Sequence, residues 1–305
     1  MTRPTRLLFV FLDGVGIGPQ DPEVNPFLAG AATLPTLTTL MGGNIPTLDE
    51  PETEGPDGRA FPLAATLDVA GIPQSGTGQA ALLTGASAAE IFGRHFGPWT
   101  PVSLRPMVEE RSVLRLARER GRTVSFANAY PKGWPGPRGG RRIAGPPLAA
   151  RGAGVLDRHE EALADGAAVS SEIVNDGWIE KLGHTSLPRV TEEGAGANLA
   201  RISQTADLTL YAHYSTDNAG HSQRLDTAVE ALQRVDAFLA GLCSELSEDT
   251  LLLIASDHGN LEDVRGSHTR NPTLGIAAGP GAHDAARLSD IREVPSFILE
   301  MLEGR

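Results

Sequence analysis

The chain has 305 residues, 40% of them hydrophobic, and a formal net charge of −12 at pH 7. This length and composition predict a globular protein with one large domain, or a core that carries an insertion. The acidic balance argues against non-specific nucleic-acid binding, which needs a basic surface. No stretch approaches the roughly 20 apolar residues of a membrane helix, and the single cysteine, Cys243, fits a reducing cytosol. We therefore expect a cytoplasmic protein that binds neither nucleic acid nor membranes.

The first element is a continuous apolar run at residues 7–12, the pattern of a central parallel strand covered on both faces. It ends at Asp13, and glycines follow at every second position. Pro19 stands where a dinucleotide-binding G-x-G-x-x-G motif has its last glycine, so the sequence disfavours that function. The run predicts a strand whose end presents Asp13 in a cleft. A simple turn-forming role for Asp13 is the alternative.

The next region leads to a candidate nucleophile. Residues 42–62 are rich in glycine, proline and acid and predict a loop, and residues 65–69 predict a short strand. Small residues around Ser75, followed by an Ala/Leu run, place a hydroxyl at or near a helix N-terminus, a location that favours anions. Ser75 as a mere N-cap is the alternative. Thr77 is a rival nucleophile.

A basic stretch interrupts this acidic chain at residues 131–151, which contain no acid. It follows a predicted helix at 113–119 and a predicted strand at 123–127. Such a local reversal of charge can steer and hold an anion, although a solvated basic loop explains it equally well. The residues that we predict as substrate contacts here are Lys132, Arg138, Arg141 and Arg142. Residues 154–190 offer no informative spacing.

The second half begins with a predicted helix at 192–206 and a predicted strand at 208–214. Asp217 and His221 follow this strand and would share one face if a helix begins there. Their types and spacing suit a divalent metal. An isolated pair of this kind is more often structural than catalytic.

An amphipathic helix at 229–246 precedes the apolar strand 251–256, which ends at Asp257 and His258. Burying a carboxylate and an imidazole there costs several kcal/mol unless the charge is compensated. A divalent metal is the simplest compensator. His268 follows ten residues later. The last predicted elements are a short strand at 276–278 and a closing helix at 291–302.

Together these stretches resemble the alkaline phosphatase superfamily, and within it the cofactor-independent phosphoglycerate mutases and phosphopentomutases. The resembling segments, in the family's order, are residues 12–14, 75–79, 217–221, 256–260 and 268–272. The resemblance implies an α/β three-layer sandwich with a mostly parallel central sheet. It also implies a metal-binding core at residues 1–95 and 196–305, with a small α/β cap inserted at residues 96–195.

The resemblance further implies two divalent metal ions, and the ligand types fit Mn²⁺ or Zn²⁺. One ion would be bound by Asp13, Asp257, His258 and the oxygen of Ser75, which is the implied nucleophile. The second would be bound by Asp217, His221 and His268. Gln79 stands where the family has a histidine, a departure that removes no metal ligand. The other histidines are expected to be surface or supporting groups: His95, His159, His184, His213 and His283.

The function implied is two-metal-dependent phosphoryl transfer through a phosphoserine, by a phosphomonoester hydrolase or phosphotransferase acting on a small phosphorylated substrate. The alternative is a phosphomutase acting on a sugar phosphate or phosphoglycerate, with Tyr130 or Trp134 packing on a sugar. An inactive metal-binding module is less favoured, because the ligand set and Ser75 are complete. The natural substrate, the physiological metal and the oligomeric state are left open by the sequence.

Overall fold

The computed structural model describes residues 3–136, 140 and 142–303, and seven strands of this part form one sheet. The strands are β1 (Arg6–Leu12), β2 (Thr53–Glu54), β3 (Arg59–Leu63), β4 (Val124–Phe126), β5 (Leu208–His213), β6 (Thr250–Ala255) and β7 (Thr273–Ala278), in the order β2-β3-β7-β6-β1-β5-β4. All except β2 and β7 run in one direction. The expected α/β fold with a mostly parallel sheet is therefore confirmed.

Helices cover both faces of this sheet. In chain order they are α1 (Pro26–Ala29), α2 (Pro35–Leu40), α3 (Ser75–Thr84), α4 (Ala88–Phe92), α5 (Arg105–Arg111), α6 (Val113–Glu119), α7 (Gly145–Ala153), α8 (Glu160–Ala164), α9 (Asp176–Glu180), α10 (Glu192–Ser203), α11 (Ser215–His221), α12 (Leu225–Glu245) and α13 (Val294–Glu303). Short 3₁₀ helices lie at Ala31–Thr33, Val102–Leu104, Ala282–Arg287 and Ile291–Glu293. Within the described residues, none of the helices has the length and apolar character needed to cross a bilayer.

The three layers follow from the alternation of side chains along β1. Phe9 and Phe11 point into the core that β1 shares with α3, α5, α6, α7 and α13. Leu8 and Val10 point into the opposite core, which is built with α1, α2, α10 and α12. Both cores are continuous and fully buried, so the sheet is a rigid platform for residues placed at its edge.

The region predicted as an inserted cap contributes in two ways. Its strand β4 pairs with β5 in the main sheet, and its helices α5 to α7 pack in the main core. A separate small hydrophobic cluster lies further along and consists of Ala129, Leu163, Ala168, Trp178 and Leu187. The division of the chain into a core and a cap stays a prediction. Within residues 96–195, the segment around this small cluster is the part that would form a separate cap.

One strand prediction is wrong. Residues 65–69 are not a strand, because Leu67 and Asp68 have φ of 51° and 58°, values that an extended chain does not adopt. The strand near this position is β3 (Arg59–Leu63), most of which falls in the stretch predicted as a loop at 42–62. Pro62 concealed it, since proline within a run normally argues against a strand in the interior of a sheet.

The sheet topology determines where the functional residues meet. β1 lies between β6 and β5 and is parallel to both, with Phe11 beside Ala255 and Leu12 beside His213. The carboxyl ends of three adjacent strands therefore open at the same edge, which is the usual location of ligands in such sheets. The chain leaves these ends through Asp13, through α11 and through Asp257.

Candidate active site

The first group of polar residues, called here the inner cluster, consists of Asp13, Asp257 and His258. Each offers a ligand atom within 4.8 Å of the others. The Nε2 atom of His258 lies 3.4 Å from Asp13 Oδ1 and 3.7 Å from Asp257 Oδ2. Ser75 Oγ lies 2.9 Å from the same nitrogen. All four residues are buried, with Asp257 and His258 at 0% exposure. The structure thus brings these four predicted site residues together.

The outer cluster consists of Asp217, His221 and His268. The Nε2 atom of His221 lies 3.2 Å from Asp217 Oδ2, and that of His268 lies 3.4 Å from Asp217 Oδ1. Asp217 and His221 occupy one face of α11, as their spacing predicted. The rings of His258 and His268 stack with centroids 4.0 Å apart, so the two clusters form one continuous site.

The histidines present their Nε2 atoms to the carboxylates. Each Nδ1 atom faces an oxygen instead: Gly259 O at 3.2 Å from His258, Pro73 O at 3.0 Å from His268, and Ser267 Oγ at 3.2 Å from His221. A metal-binding imidazole typically donates its other ring N–H to such an oxygen, which leaves the inward nitrogen as the ligand. The Nε2 atoms of His221 and His268 are 3.1 Å apart, close enough for both to contact one cation.

The inner carboxylates need compensation for their charge. Asp13 Oδ1 and Asp257 Oδ2 are buried and make no hydrogen bond within the described residues. Burial raises the pKa of both carboxyls well above the usual value, and the charges of neighbouring acids raise it further. A buried ionised carboxylate is stable only when it is paired. The donor set therefore fits divalent cations that accept oxygen and imidazole ligands.

Asp217 in the outer cluster is in a different electrostatic environment. Burial alone would raise its pKa, but the hydrogen bond with His268 and the nearby His258 lower the pKa to about 2. The side chain of Asn260 contributes too, since its Nδ2 donates to Asp217 Oδ1 at 2.6 Å. The outer carboxylate is thus stabilised as an anion by its own neighbours.

Gln79 and the backbone of Gly14 contact the inner carboxylates, Gln79 at Asp13 and the Gly14 N–H at Asp257. Gln79 donates from Nε2 to Asp13 Oδ2 at 3.1 Å, and its Oε1 accepts from the N–H of Gly145 at 2.9 Å. The Gln79 amide therefore orients a predicted metal ligand. Gly14 has φ of +68°, and a Cβ there would lie 2.5 Å from Asp217 Oδ1. Glycine is required at this position because the backbone passes between the two clusters.

Ser75 and Thr77 occupy different environments at the start of α3. Ser75 is the first residue of this helix, which is buried from Ser75 to Leu83, and its hydroxyl faces His258. The Thr77 hydroxyl donates to Gln74 O at 3.2 Å and accepts from the N–H of Phe96 at 3.2 Å. Thr77 therefore ties the helix start to a neighbouring loop, whereas Ser75 faces the inner cluster.

A cleft of about 570 Å³ opens above the clusters. Its walls include Arg142, Tyr130 and Trp134, and the two aromatic rings have centroids 4.4 Å apart. Lys132 does not line this cleft; its ammonium is exposed and pairs with Glu161. Of the other predicted substrate contacts, Arg138 and Arg141 lie outside the described residues.

Glu262 is an organising residue that sequence reasoning missed. It is fully buried and accepts four hydrogen bonds, from Gly16 N at 3.0 Å, Asn260 N at 2.8 Å, Thr269 Oγ1 at 2.5 Å and Asn271 Nδ2 at 3.1 Å. These bonds fix the loop after β1 to the segment that carries His268. A signal existed, because Glu262 is the next acid after Asp257 in the same apolar-flanked loop.

The remaining histidines lie away from the two clusters. Three face backbone carbonyl oxygens at hydrogen-bond distance: His95 faces Val69, His159 faces Tyr130 and His213 faces Ser171. Burial lowers the pKa of His213 to about 4, so this ring is neutral at physiological pH. The other two are His184, which packs beside Trp178, and His283, which lies near Glu54.

Comparison with known proteins agrees with this architecture. The chain has the fold of the alkaline phosphatases: it is similar to the alkaline phosphatase of the Antarctic bacterium TAB5, with a TM-score of 0.53, 12% identity and 99% coverage of both chains. Residues 179–295 match the family model described as the Metalloenzyme superfamily. That segment contains Asp217, His221, Asp257, His258 and His268.

Two relatives match part of the chain, and both are 2,3-bisphosphoglycerate-independent phosphoglycerate mutases. The protein of Halobacterium salinarum is 27% identical over 106 residues and that of Acaryochloris marina 33% identical over 116 residues. The matches cover 32% and 35% of this chain, and 21% of each relative. The chain thus matches about a fifth of the length of these relatives. The expected resemblance to alkaline phosphatase superfamily metalloenzymes is confirmed.

Proposed function

We propose that this chain is a two-metal-dependent phosphoryl-transfer enzyme, a phosphomonoester hydrolase or phosphotransferase that works through a phosphoserine at Ser75. The observation that carries the proposal is the position of the Ser75 hydroxyl, 2.9 Å from His258 Nε2 at the start of a buried helix. A hydroxyl beside a buried cluster of candidate metal ligands suits metal-assisted phosphoryl transfer.

In this proposal Asp13, Asp257, His258 and the Ser75 oxygen hold one divalent cation, Mn²⁺ or Zn²⁺. Asp217, His221 and His268 hold the other. When bound, such cations make a hydroxyl acidic enough to attack at neutral pH and neutralise charge on the phosphoryl oxygens.

The chain's own residues supply the geometry of the reaction. Ser75 Oγ attacks the phosphorus, the bond from phosphorus to the substrate oxygen breaks, and the alcohol leaves with a proton. The N-terminus of α3 favours the phosphoryl group next to Ser75, because free N–H groups and the helix dipole both attract anions. Arg142, which lines the cleft, is placed to hold the negatively charged substrate.

The fate of the phosphoserine separates a phosphatase from a mutase. Water attacks it in a phosphatase, whereas in a mutase a hydroxyl of the substrate takes the phosphoryl group back. The sequence similarity to two phosphoglycerate mutases favours a phosphomutase as the second candidate. Incubation with sugar phosphates and phosphoglycerates, with isomerised product and free phosphate followed together, distinguishes the two.

The first prediction tests the nucleophile and the metals together. Hydrolysis of an aryl phosphate should be abolished by EDTA and restored by Mn²⁺ or Zn²⁺. Ser75→Ala should lower the rate by at least about 10³-fold, because the covalent route is lost. It should also remove the phosphoenzyme that intact mass spectrometry detects in the metal-loaded wild type.

Thr77→Ala is the matched control, since this hydroxyl contacts the backbone of Gln74 and Phe96. It should keep the covalent phosphate. Label that persists in Ser75→Ala and disappears in Thr77→Ala would assign the nucleophile to Thr77. Full activity in EDTA would exclude the metal-dependent mechanism.

A further inference from the structure

A second cavity of about 290 Å³ adjoins the catalytic cleft. The two cavities share Tyr130, Trp134 and Ser171 as lining residues. Beyond this common wall the second cavity extends to Trp178 and Leu182, which do not line the catalytic cleft. Tyr130, Trp134 and Ser171 are therefore the place that a substrate bound at Ser75 would have to pass in order to enter the second cavity.

The lining of this second cavity is aromatic on one side and polar on the other. Tyr130 and Trp134 lie at 4.4 Å between ring centroids, and Trp178 belongs to the small hydrophobic cluster of the same region. Lys181 and Glu172 form an ion pair at 3.3 Å and also line the cavity. Aromatic faces beside a few polar groups are the typical composition of a small-molecule site.

Leu182 provides an independent observation. Its side chain is 53% exposed although it is large and apolar, and it borders this cavity. A single exposed leucine means little by itself. Here it lines the same cavity as the aromatic side chains of Tyr130, Trp134 and Trp178, and so adds to their apolar surface.

We propose that this cavity is a subsite for the alcohol part of the substrate, and that it selects phosphomonoesters whose alcohol carries a ring with a flat apolar face. The inference rests on the proposed function, because it assigns the phosphoryl group to Ser75. An aryl ring and a sugar ring share the required chemistry, since both present such a face to aromatic side chains. A sugar would also use the Lys181 and Glu172 side chains for its hydroxyl groups.

The test compares three esters in the metal-loaded enzyme: ethyl phosphate, 2-phenylethyl phosphate and a hexose 6-phosphate. All are esters of primary alkanols, so the ring is the main difference between them. The wild type should hydrolyse both ring esters, or one of them, with kcat/KM at least about 10-fold above that of ethyl phosphate. The ring ester with the higher value identifies the aryl or the sugar source.

Trp178→Leu and Leu182→Ser should each reduce this preference about 3- to 10-fold and leave ethyl phosphate turnover unchanged. Leu182→Ser keeps the test valid if Trp178→Leu folds poorly, because Leu182 is exposed. The matched control is Ile91→Ser, an exposed apolar residue outside both cavities, which should keep the wild-type preference.

Equal kcat/KM for all three esters in the wild type would overturn the subsite, and so would a preference that survives both substitutions. A wild type that hydrolyses none of them would refute the phosphomonoester hydrolase instead. Calorimetric binding of 2-phenylethylphosphonate and ethylphosphonate then decides the subsite separately. Tighter binding of the ring compound, lost in Leu182→Ser, supports it, and equal binding overturns it.

Discussion

The inner and outer clusters use the same kinds of ligand but differ in their contact with solvent. Asp257 and His258 are completely buried, whereas the His221 side chain is 46% exposed. The inner carboxylates keep oxygen atoms without hydrogen bonds in the described structure, while Asp217 is stabilised by His268 and Asn260.

This difference predicts that the two proposed metal ions bind with unequal strength. In this proposal the inner cluster would depend on a cation for its charge balance, because its residues are almost completely buried and its acids repel each other. The outer cluster is partly balanced by its own neighbours and by solvent. We therefore expect tight, stabilising binding at the inner cluster and weaker, exchangeable binding at the outer one.

The largest effect is expected at the inner cluster. Asp257→Asn removes a buried ligand charge while it keeps the shape and the oxygen that accepts from Gly14 N at 3.3 Å. Phosphatase activity should fall by about 10³-fold or more, since several kcal/mol of metal-dependent transition-state stabilisation are lost. Added Mn²⁺ or Zn²⁺ should not restore it in a steady-state assay across millimolar concentrations.

Asp263→Asn is the matched control for that substitution. Asp263 lies in the same loop but forms an ion pair with Arg265 at 2.6 Å. Its replacement should leave the rate unchanged within a factor of about two, since surface ion pairs contribute little. An Asp257→Asn enzyme with nearly wild-type activity would remove the inner cluster from the mechanism.

A smaller and reversible effect is expected at the outer cluster. His221→Ala removes a half-exposed ligand and leaves Asp217 and His268 in place. The metal concentration for half-maximal activity should rise at least about 10-fold, because even supporting residues of metal sites contribute that much. Saturating metal should recover most of the rate, as measured by titration of the metal-free protein.

His283→Ala is the corresponding control, since His283 is exposed and lies beside Glu54. Its titration curve should match that of the wild type. An activity of His221→Ala that no metal concentration restores would mean that the two clusters are equally tight. The contrast between inner and outer sites would then be incorrect.

The sequence predicted the central fold because its strands are buried on both faces. Continuous apolar runs such as residues 7–12 and 251–256 are specific to that environment, and the structure has β1 and β6 there. The β2–β3 end of the sheet was harder to predict. β3 contains Pro62, and residues 65–69, which follow it, are not extended, so local composition pointed to the wrong segment.

The positions of the candidate ligands were predictable where such a residue directly follows a strand or shares a helix face. Asp13 and Asp257 follow strands, and Asp217 with His221 has helical spacing. Glu262 was missed, although it is the next acid after Asp257, because its hydrogen bond from Gly16, 246 residues away in the sequence, arises only in the folded chain. The second cavity was missed for the same reason, since tertiary packing alone brings Trp178 and Trp134 to the lining of one cavity.

The smallest effect concerns stability without metal. Burial first, and then the charge of Asp13, raise the pKa of Asp257 in the folded protein, whereas an unfolded chain has a value of about 3.9. The folded state therefore binds this proton more tightly. The stability that the proton contributes is lost as pH rises from about 4 through the raised pKa.

The amide introduced by Asp257→Asn cannot ionise. In EDTA, the thermal midpoint of this variant relative to the wild type should therefore increase between pH 5 and pH 8, by about 3–6 °C. Added metal should reverse the order, because the cation stabilises only the ionised wild type. A variant that is less stable than the wild type by the same amount at every pH would contradict this prediction. It would show that ionisation of Asp257 does not lower the stability of the metal-free protein.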